Sequence, residues 1–196
     1  MLFQILVVSA IALTSILADN THPVKNRFPD TATVKIDNGA GVVATIDFVK
    51  MKKENRPADA SKFKADRALT SVAVKYSGLE AGKEFTYIIH EKAIQGNNCD
   101  TAGDHFDPRN VNPANAPDFV CDRHKQVSHC EAGDLSGKHD KLKGNGATET
   151  VLPVYYDGNL RMSYSIHGIL GKSLVIKDAD GKTVGCGNIV DPAPAT

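Results

Sequence analysis

The sequence predicts an all-β protein, an antiparallel sandwich or barrel of about eight short strands. Three observations support this prediction. Short segments alternate apolar and polar side chains, Gly, Asn and Asp separate these segments, and none repeats its apolar residues at helical spacing. The eight segments are residues 31–37, 41–51, 69–79, 84–92, 148–156, 162–169, 173–178 and 185–190.

The composition is that of one ordinary folded domain, and it argues against nucleic acid as a partner. The chain has 196 residues, of which 41% are hydrophobic, and its 23 Lys and Arg balance its 23 Asp and Glu. A net charge of zero is unsuited to binding by phosphate neutralisation, and 6% aromatic residues without Trp offer little surface for base stacking. We therefore expect no nucleic-acid partner.

Residues 1–18 have the features of a secretory signal. They carry no charged side chain and contain an apolar stretch from Ile5 to Leu13, followed by small residues up to Ala18. A membrane anchor is the alternative, but a spanning helix needs about 20 apolar residues, and polar side chains interrupt this segment. The sequence therefore predicts a secreted, extracellular protein without membrane attachment after signal removal, whose single domain comprises residues 19–196.

The first four strands precede a long connection. TATVKID (31–37) and GVVATIDFVKM (41–51) alternate in polarity around an Asn-Gly turn and form a predicted hairpin. A charged, apolar-poor segment over 52–68 leads to LTSVAVKYSGL (69–79) and EFTYIIHEK (84–92), which have the strand pattern.

The connection from 93 to 147 is rich in potential metal ligands. Connections within a domain are usually about four to six residues long, so one of this length is functional or disordered. It contains three of the four cysteines, four of the seven histidines and many carboxylates. Imidazole and carboxylate groups together favour a metal site, and internal cysteines would hold the loop in one shape. A solvated acidic loop is the alternative.

The cysteine count predicts two disulfides. Cys99, Cys121, Cys130 and Cys186 all follow the signal segment, and an even number in a secreted chain indicates an oxidised framework. Four cysteines allow three pairings, and their spacing does not choose among them.

The C-terminal part returns to the strand pattern. The segments 148–156, 162–169 and 173–178 contain the expected alternation, and GCGNIV (185–190) completes the set of eight. With the first four strands, these segments account for the predicted sandwich or barrel.

Five motifs, taken in order, resemble the copper/zinc superoxide dismutase family. They are YSGLEAGKEFTYIIHE (76–91), CDTAGDHFDP (99–108), EAGDLSGK (131–138), SYSIHGILGKSLVI (163–176) and GCGNIV (185–190). The resemblance implies an eight-stranded antiparallel Greek-key β-barrel with a long, disulfide-clamped metal loop. It also implies a Cys99–Cys186 bridge, which leaves Cys121 and Cys130 to pair with each other.

The resemblance further implies a copper site with three of the family's four histidine ligands. His90 in TYIIHE, His105 in AGDHFDP and His167 in YSIHG match ligand positions, whereas Ile88 stands where the family has its first histidine. Alternate residues of a strand point to one face, so Ile88 and His90 are expected to point the same way. Loss of one imidazole disfavours tetragonal Cu(II), so we expect copper binding to survive better than turnover.

The zinc side of the family's site is altered further. Glu131 stands where a zinc histidine belongs, and Asp134 matches the zinc aspartate. This pairing is similar to the extracellular copper-only branch, in which carboxylates hold the bridging histidine, and it implies that both carboxylates orient His105. The alternative is a zinc site rebuilt from His105, His124, His129 and Asp134.

The activity that the resemblance implies is conversion of superoxide to oxygen and hydrogen peroxide. Histidine-bound copper would be oxidised and reduced in turn, with His105 as the candidate for proton delivery. Thr183, however, occupies the position of the family's anion-guiding arginine, which leaves that role to the metal and to lysines such as Lys172. The alternative is a non-catalytic secreted protein of the same fold that binds copper or zinc.

Overall fold

The architecture is known from a computed structural model that describes residues 28–58, 68–113, 116 and 118–192. The predicted signal, residues 1–18, lies outside these residues. Among the described residues, no helix has the length and apolar character needed to cross a membrane.

Antiparallel strands dominate the described part of the chain. In chain order they are β1 Thr31–Asp37, β2 Val43–Lys50, β3 Thr70–Ser77, β4 Glu84–His90, β5 Leu142–Lys143, β6 Thr150–Val151, β7 Tyr155–Asp157, β8 Ser173–Lys177 and β9 Thr183–Val190. The helices are short: α1 is Gln126–His129, α2 is Leu135–His139, and 3-10 helices span Lys53–Asn55, Cys99–Ala102 and Arg123–Lys125.

The strands form a Greek-key β-sandwich. Their order is β5-β4-β8-β9-β1-β2-β3-β6, and β7 also pairs with β3. The chain therefore crosses from β3 to β4 on the other half of the structure, returns to β3 through β6 and β7, and crosses again to β8. The predicted antiparallel Greek-key class is confirmed, but the barrel is not closed, because no pairing joins β5 to β6 among the described residues.

Two predicted strands differ from the structure. The segment 148–156 is divided into β6 and β7, with Pro153, which has no N–H to donate, between them. The segment 162–169 is not a strand, because local hydrogen bonds such as Gly168 N to Ser165 O (2.9 Å) and Ile169 N to Arg161 O (3.0 Å) bend it into turns. A Cβ at position 168 would lie 2.0 Å from the Ser163 carbonyl oxygen, so only glycine fits that bend.

The strand pattern separates the core from the opposite face of the sheet. On β4, the side chains of Phe85, Tyr87 and Ile89 are buried in the hydrophobic core. Thr86, Ile88 and His90 alternate with them and therefore lie on the other face. This alternation places the predicted site residues of β4 outside the core.

Two disulfides fix the long connection. Cys99–Cys186 joins the 3-10 helix Cys99–Ala102 to β9, with Cα atoms 5.8 Å apart. Cys121–Cys130 closes a short loop that contains α1. Both pairings implied by the family resemblance are thus confirmed.

Candidate metal centre

His90, at the end of β4, is held in one tautomer by the backbone. Its Nδ1 lies 2.7 Å from the Gly103 carbonyl oxygen, which can only accept, so Nδ1 carries the proton. Gly103 has a φ of 73°, a conformation that favours glycine and follows the 3-10 helix Cys99–Ala102. The His90 Nε2 atom is buried and has no hydrogen-bond partner within the described residues, so it presents an unused lone pair.

His105 is brought beside His90 by backbone pairing. The two residues form an isolated antiparallel bridge, which the Phe106 N–H extends by donating to the Ile89 carbonyl oxygen at 2.9 Å. The imidazole rings meet edge to face, with centroids 5.1 Å apart and planes at 78°. The sequence motifs on β4 and in the long connection therefore meet at one point.

Glu131 fixes the tautomer of His105. The Glu131 Oε2 atom lies 2.8 Å from His105 Nδ1, and Glu131 Oε1 accepts a hydrogen bond from Asn112 Nδ2 at 2.7 Å. Burial of the Glu131 carboxyl acts to raise its pKa, but the hydrogen bonds from His105 and Asn112 outweigh burial and lower that pKa. The ionised carboxylate accepts the proton of Nδ1, which leaves the Nε2 lone pair of His105 available.

Burial and neighbouring groups favour the uncharged form of His90. Burial is the largest cause of its lowered pKa, and the nearby His105 and Lys177 lower that pKa further, against the opposing bond to Gly103. A neutral imidazole is the form that binds a metal ion.

Asp134 is placed differently from the expectation that it orients His105. Its Oδ1 accepts a hydrogen bond from Gly137 N at 2.7 Å and caps the start of α2. Burial raises the pKa of this carboxyl group. Asp134 lines the same groove as His105, yet the described residues show no hydrogen bond between them.

The other predicted ligands do not join His90 and His105. Among the described residues, no three His, Cys, Asp or Glu side chains form a group able to hold one metal ion. His167 is exposed because its segment turns away from the strand path, and His124 and His129 are exposed on the helices within the Cys121–Cys130 loop. Within the part of the chain that the structure describes, neither the three-histidine copper set nor the rebuilt zinc set forms such a group.

Lys177 shares a sheet face with His90, which the sequence analysis did not predict. Opposed residues of antiparallel strands point to the same side, and Lys177 is opposite Thr86 on β4 and Thr183 on β9. It therefore shares a face with Ile88 and His90. Lys172, the lysine expected near the site, contacts the neighbours of both histidines: it donates to the Glu91 carbonyl oxygen at 3.3 Å and lies 4.6 Å from the centroid of the Phe106 ring. The pairing of β8 with β4 places Lys177 on this face, and no local sequence pattern predicts that pairing.

The donors fit a metal ion of low coordination number. Two imidazoles, each with its Nδ1 atom on an acceptor, can offer their Nε2 atoms to a metal ion. Copper(I), a closed-shell ion, is stable with two such ligands, whereas structural zinc takes four ligands and Cu(II) prefers a tetragonal set. A metal ion would give the buried Nε2 atom of His90 the partner that the described residues do not provide.

Comparison with known proteins identifies similar chains. A family model described as copper/zinc superoxide dismutase (SODC) matches residues 46–189. The chain is 36% identical over 107 residues to the Candida albicans protein named cell surface superoxide dismutase (Cu-Zn) 6, a match that covers 54% of this chain and 31% of that protein. It is 27% identical over 161 residues to cell surface Cu-only superoxide dismutase 5 of the same organism, covering 81% and 65%.

A solved structure has the same fold. Candida albicans superoxide dismutase 5 with Cu(II) superposes with a TM-score of 0.61 at 26% identity, covering 84% of this chain and 95% of the other. The matches to the two curated relatives cover less than two thirds of either relative's length.

Proposed function

Because the chain belongs to the copper/zinc superoxide dismutase family, we propose that it is an extracellular copper-binding protein whose centre is formed by His90 and His105. One observation carries the proposal: the buried Nε2 of His90 has no partner within the described residues, and the adjacent His105 has its Nδ1 on a carboxylate. Without a bound ion, the buried Nε2 atom of His90 has no partner within the described residues, and leaving a buried polar atom unsatisfied costs free energy.

The relatives and the N-terminal segment support an extracellular location. Both curated relatives are named cell-surface proteins, and residues 1–18 have the pattern of a secretory signal. We therefore propose that residues 1–18 are removed and that the domain over 19–196 works outside the cell, where its two disulfides are stable.

The residues present support metal retention more strongly than rapid redox turnover. When bound, copper would supply a cation that can exchange one electron. The Gly103 carbonyl and the Glu131 carboxylate hold the two imidazoles in their metal-binding tautomers. Ile88 has no donor atom at the position on the same face as His90, so tetragonal Cu(II) lacks a ligand there. We propose that Cu(I) is the oxidation state the protein retains.

Superoxide conversion at the same centre is the second candidate. It is favoured by the exposure of the His105 side chain, which is 32%, whereas its partner Glu131 is 3% exposed. A small anion can reach this imidazole, and the bond to Glu131 keeps its orientation while Nε2 takes or releases a proton. Thr183 supplies no positive charge to guide the anion, so we expect a rate below that of a complete family member.

Cu(I) binding tests the first proposal. The full chain, loaded anaerobically, competes with a chromogenic Cu(I) chelator such as bicinchoninate. His90→Ala and His105→Ala should each weaken binding by about 100-fold or more, since each removes one of two ligands. His167→Ala and His124→Ala, which change exposed histidines, are the matched controls. Equal retention in all four variants would show that copper binds elsewhere.

A superoxide-decay assay tests the second candidate. The copper-loaded wild type is compared with His105→Ala at equal copper content, after removal of loosely bound copper. A faster wild type supports turnover at this centre. Indistinguishable rates, together with the loss of Cu(I) affinity described above, would establish a binding protein without catalysis.

A further inference from the structure

A lysine faces the candidate centre from the neighbouring strand. In the β4–β8 ladder, Lys177 is opposite Thr86, Val175 is opposite Ile88 and Ser173 is opposite His90. Opposed residues in such a ladder point to the same side. The side chain of Lys177 is therefore on the face that carries Ile88 and His90, beyond the apolar pair formed by Ile88 and Val175.

The charge of Lys177 is not cancelled by a carboxylate. Among the described residues, its ammonium group makes no salt bridge, whereas Lys75, Lys83 and Lys138 each pair with an acidic side chain. Four residues of strand rise and one strand spacing place its Cα about 14 Å from that of His90, and the long lysine side chain can shorten the distance from its charge to the imidazole. A cation that makes no salt bridge among the described residues thus shares a sheet face with His90, whose buried Nε2 atom has no hydrogen-bond partner there.

We propose that Lys177 makes this centre selective for a monovalent metal ion over a divalent one. The inference rests on the proposed copper-binding function and adds the residue that determines its specificity. Repulsion between a fixed charge and a bound ion is proportional to the charge of the ion. A lysine that weakens Cu(I) binding by a given factor therefore weakens Zn(II) or Cu(II) binding by the square of that factor.

The apolar pair beside Lys177 acts in the same direction. Ile88 and Val175 lie between the lysine and His90 and offer no donor atom. A divalent ion needs three or more protein ligands, so it loses coordination as well as electrostatic free energy, whereas two imidazoles suffice for Cu(I). The Glu131 carboxylate, bonded to His105, attracts a bound cation, and the charge of Lys177 opposes that attraction.

Selectivity is measured as the ratio of Cu(I) to Zn(II) affinity on the full secreted chain. Cu(I) is titrated anaerobically against bicinchoninate and Zn(II) against a fluorescent zinc chelator. Lys177→Met keeps the aliphatic stem and removes the charge. For charges about 14 Å apart at an effective dielectric constant of about 25, this change should raise Cu(I) affinity about fivefold and Zn(II) affinity about 25-fold, so the ratio moves about fivefold toward zinc.

Two control variants and a His90→Ala double variant test whether the charge of Lys177 causes the shift in the affinity ratio. Lys177→Arg keeps the charge and should retain the wild-type ratio, and so should Lys182→Met, which removes an exposed lysine from the turn before β9. In a His90→Ala background, Lys177→Met should no longer shift the ratio. Thermal unfolding verifies that each variant is folded.

The outcomes separate this inference from the proposed function. If His90→Ala weakens Cu(I) binding but Lys177→Met leaves the ratio unchanged, Lys177 does not determine selectivity and the copper centre stands. An equal shift in Lys177→Arg or Lys182→Met also overturns the selectivity role. If Cu(I) binding is insensitive to His90→Ala, the copper centre fails, and the inference fails with it.

Discussion

The two imidazoles of the centre are held by acceptors of different character. The His90 Nδ1 proton is held by a neutral backbone carbonyl, and the His105 Nδ1 proton by a buried carboxylate. A carbonyl keeps its acceptor strength at every pH, whereas a carboxylate loses it on protonation. Protonation of Glu131 at low pH therefore weakens its hydrogen bond to His105. Substitution of Glu131 should change the free energy of unfolding by an amount that depends on pH.

Glu131→Gln tests this dependence. Because the pKa of Glu131 lies below its ordinary value of 4.5, its carboxylate stabilises the fold above that pH, and this contribution is lost as the pH falls through the lowered pKa. Urea unfolding at pH 6 should show the variant less stable by about 2 kcal/mol, and the difference should shrink at pH 3. Glu84→Gln, an exposed control, should change little at either pH. A difference independent of pH would contradict the assignment.

Ile88→His tests the missing ligand. The new imidazole would lie on the same face as His90, so it adds a donor without rearranging the strand. We expect Cu(II) affinity to rise at least about tenfold, since a third imidazole suits tetragonal Cu(II). Electron paramagnetic resonance of the loaded protein should then show coupling to additional nitrogens. Thr86→His, on the same strand and face but farther from His90, is the control. Equal gains in both variants would mean that any histidine on this face captures copper.

At the level of elements, helix α2 is attached to β7 by a buried ion pair. Lys138 Nζ lies 2.7 Å from Asp157 Oδ2, and neither side chain is exposed. The same carboxylate oxygen is 3.0 Å from His139 Nε2. Burial of Asp157 acts to raise its pKa, but Lys138 and His139 outweigh burial and hold that pKa well below its usual range. Since Asp134, which caps the start of α2, lines the same groove as His105, this pair also holds one wall of the groove.

Lys138→Met should be strongly destabilising. It leaves a buried carboxylate without its cation, and breaking such a pair costs about 3–5 kcal/mol. Lys141→Met is the matched control, since its ammonium is 3.9 Å from Glu84 on the exposed surface, where a pair contributes less than about 1 kcal/mol. Urea unfolding at neutral pH measures both, and adding Asp157→Asn to Lys138→Met should recover part of the loss. Equal effects of the two lysine variants would contradict the buried role.

The elements that the sequence predicts well are those whose pattern is local. The β1–β2 hairpin and the core face of β4 follow from alternation and an Asn-Gly turn, and the structure places them as expected. The segment 162–169 has a similar alternation, but the backbone contact between Gly168 and Ser163 bends it out of the sheet. Burial of Lys138 and the face of Lys177 depend on pairing between distant segments, which no local pattern encodes.

For the candidate centre, too, the local motifs predict the residue types but not every contact between them. The motifs selected His90, His105 and Glu131, which the structure brings together. The segment of His167 forms turns where the sequence predicts a strand, and the His167 side chain is exposed. A motif fixes which residue types are present, whereas the register between β4 and β8 decides which of them meet.

For the whole molecule, the two disulfides differ in what they connect. Cys99–Cys186 spans a sequence separation of 87 and joins β9 to the 3-10 helix that precedes Gly103 and His105. Cys121–Cys130 spans only nine positions. Because the barrel is not closed by β5 and β6, the long bridge is a covalent link between the sheet and the segment that carries the centre. Its loss should affect both stability and metal binding.

Paired substitution of each bridge by alanine separates these effects. Loop entropy predicts a loss of about 4–5 kcal/mol for Cys99→Ala/Cys186→Ala and about 3 kcal/mol for Cys121→Ala/Cys130→Ala, measured by urea unfolding. Cu(I) affinity should fall only in the first variant, since the Gly103 carbonyl that fixes His90 follows directly from the Cys99 helix. A larger loss of affinity in the second variant would place the copper centre in the loop of His124 and His129, because those exposed histidines depend on the short bridge for their arrangement.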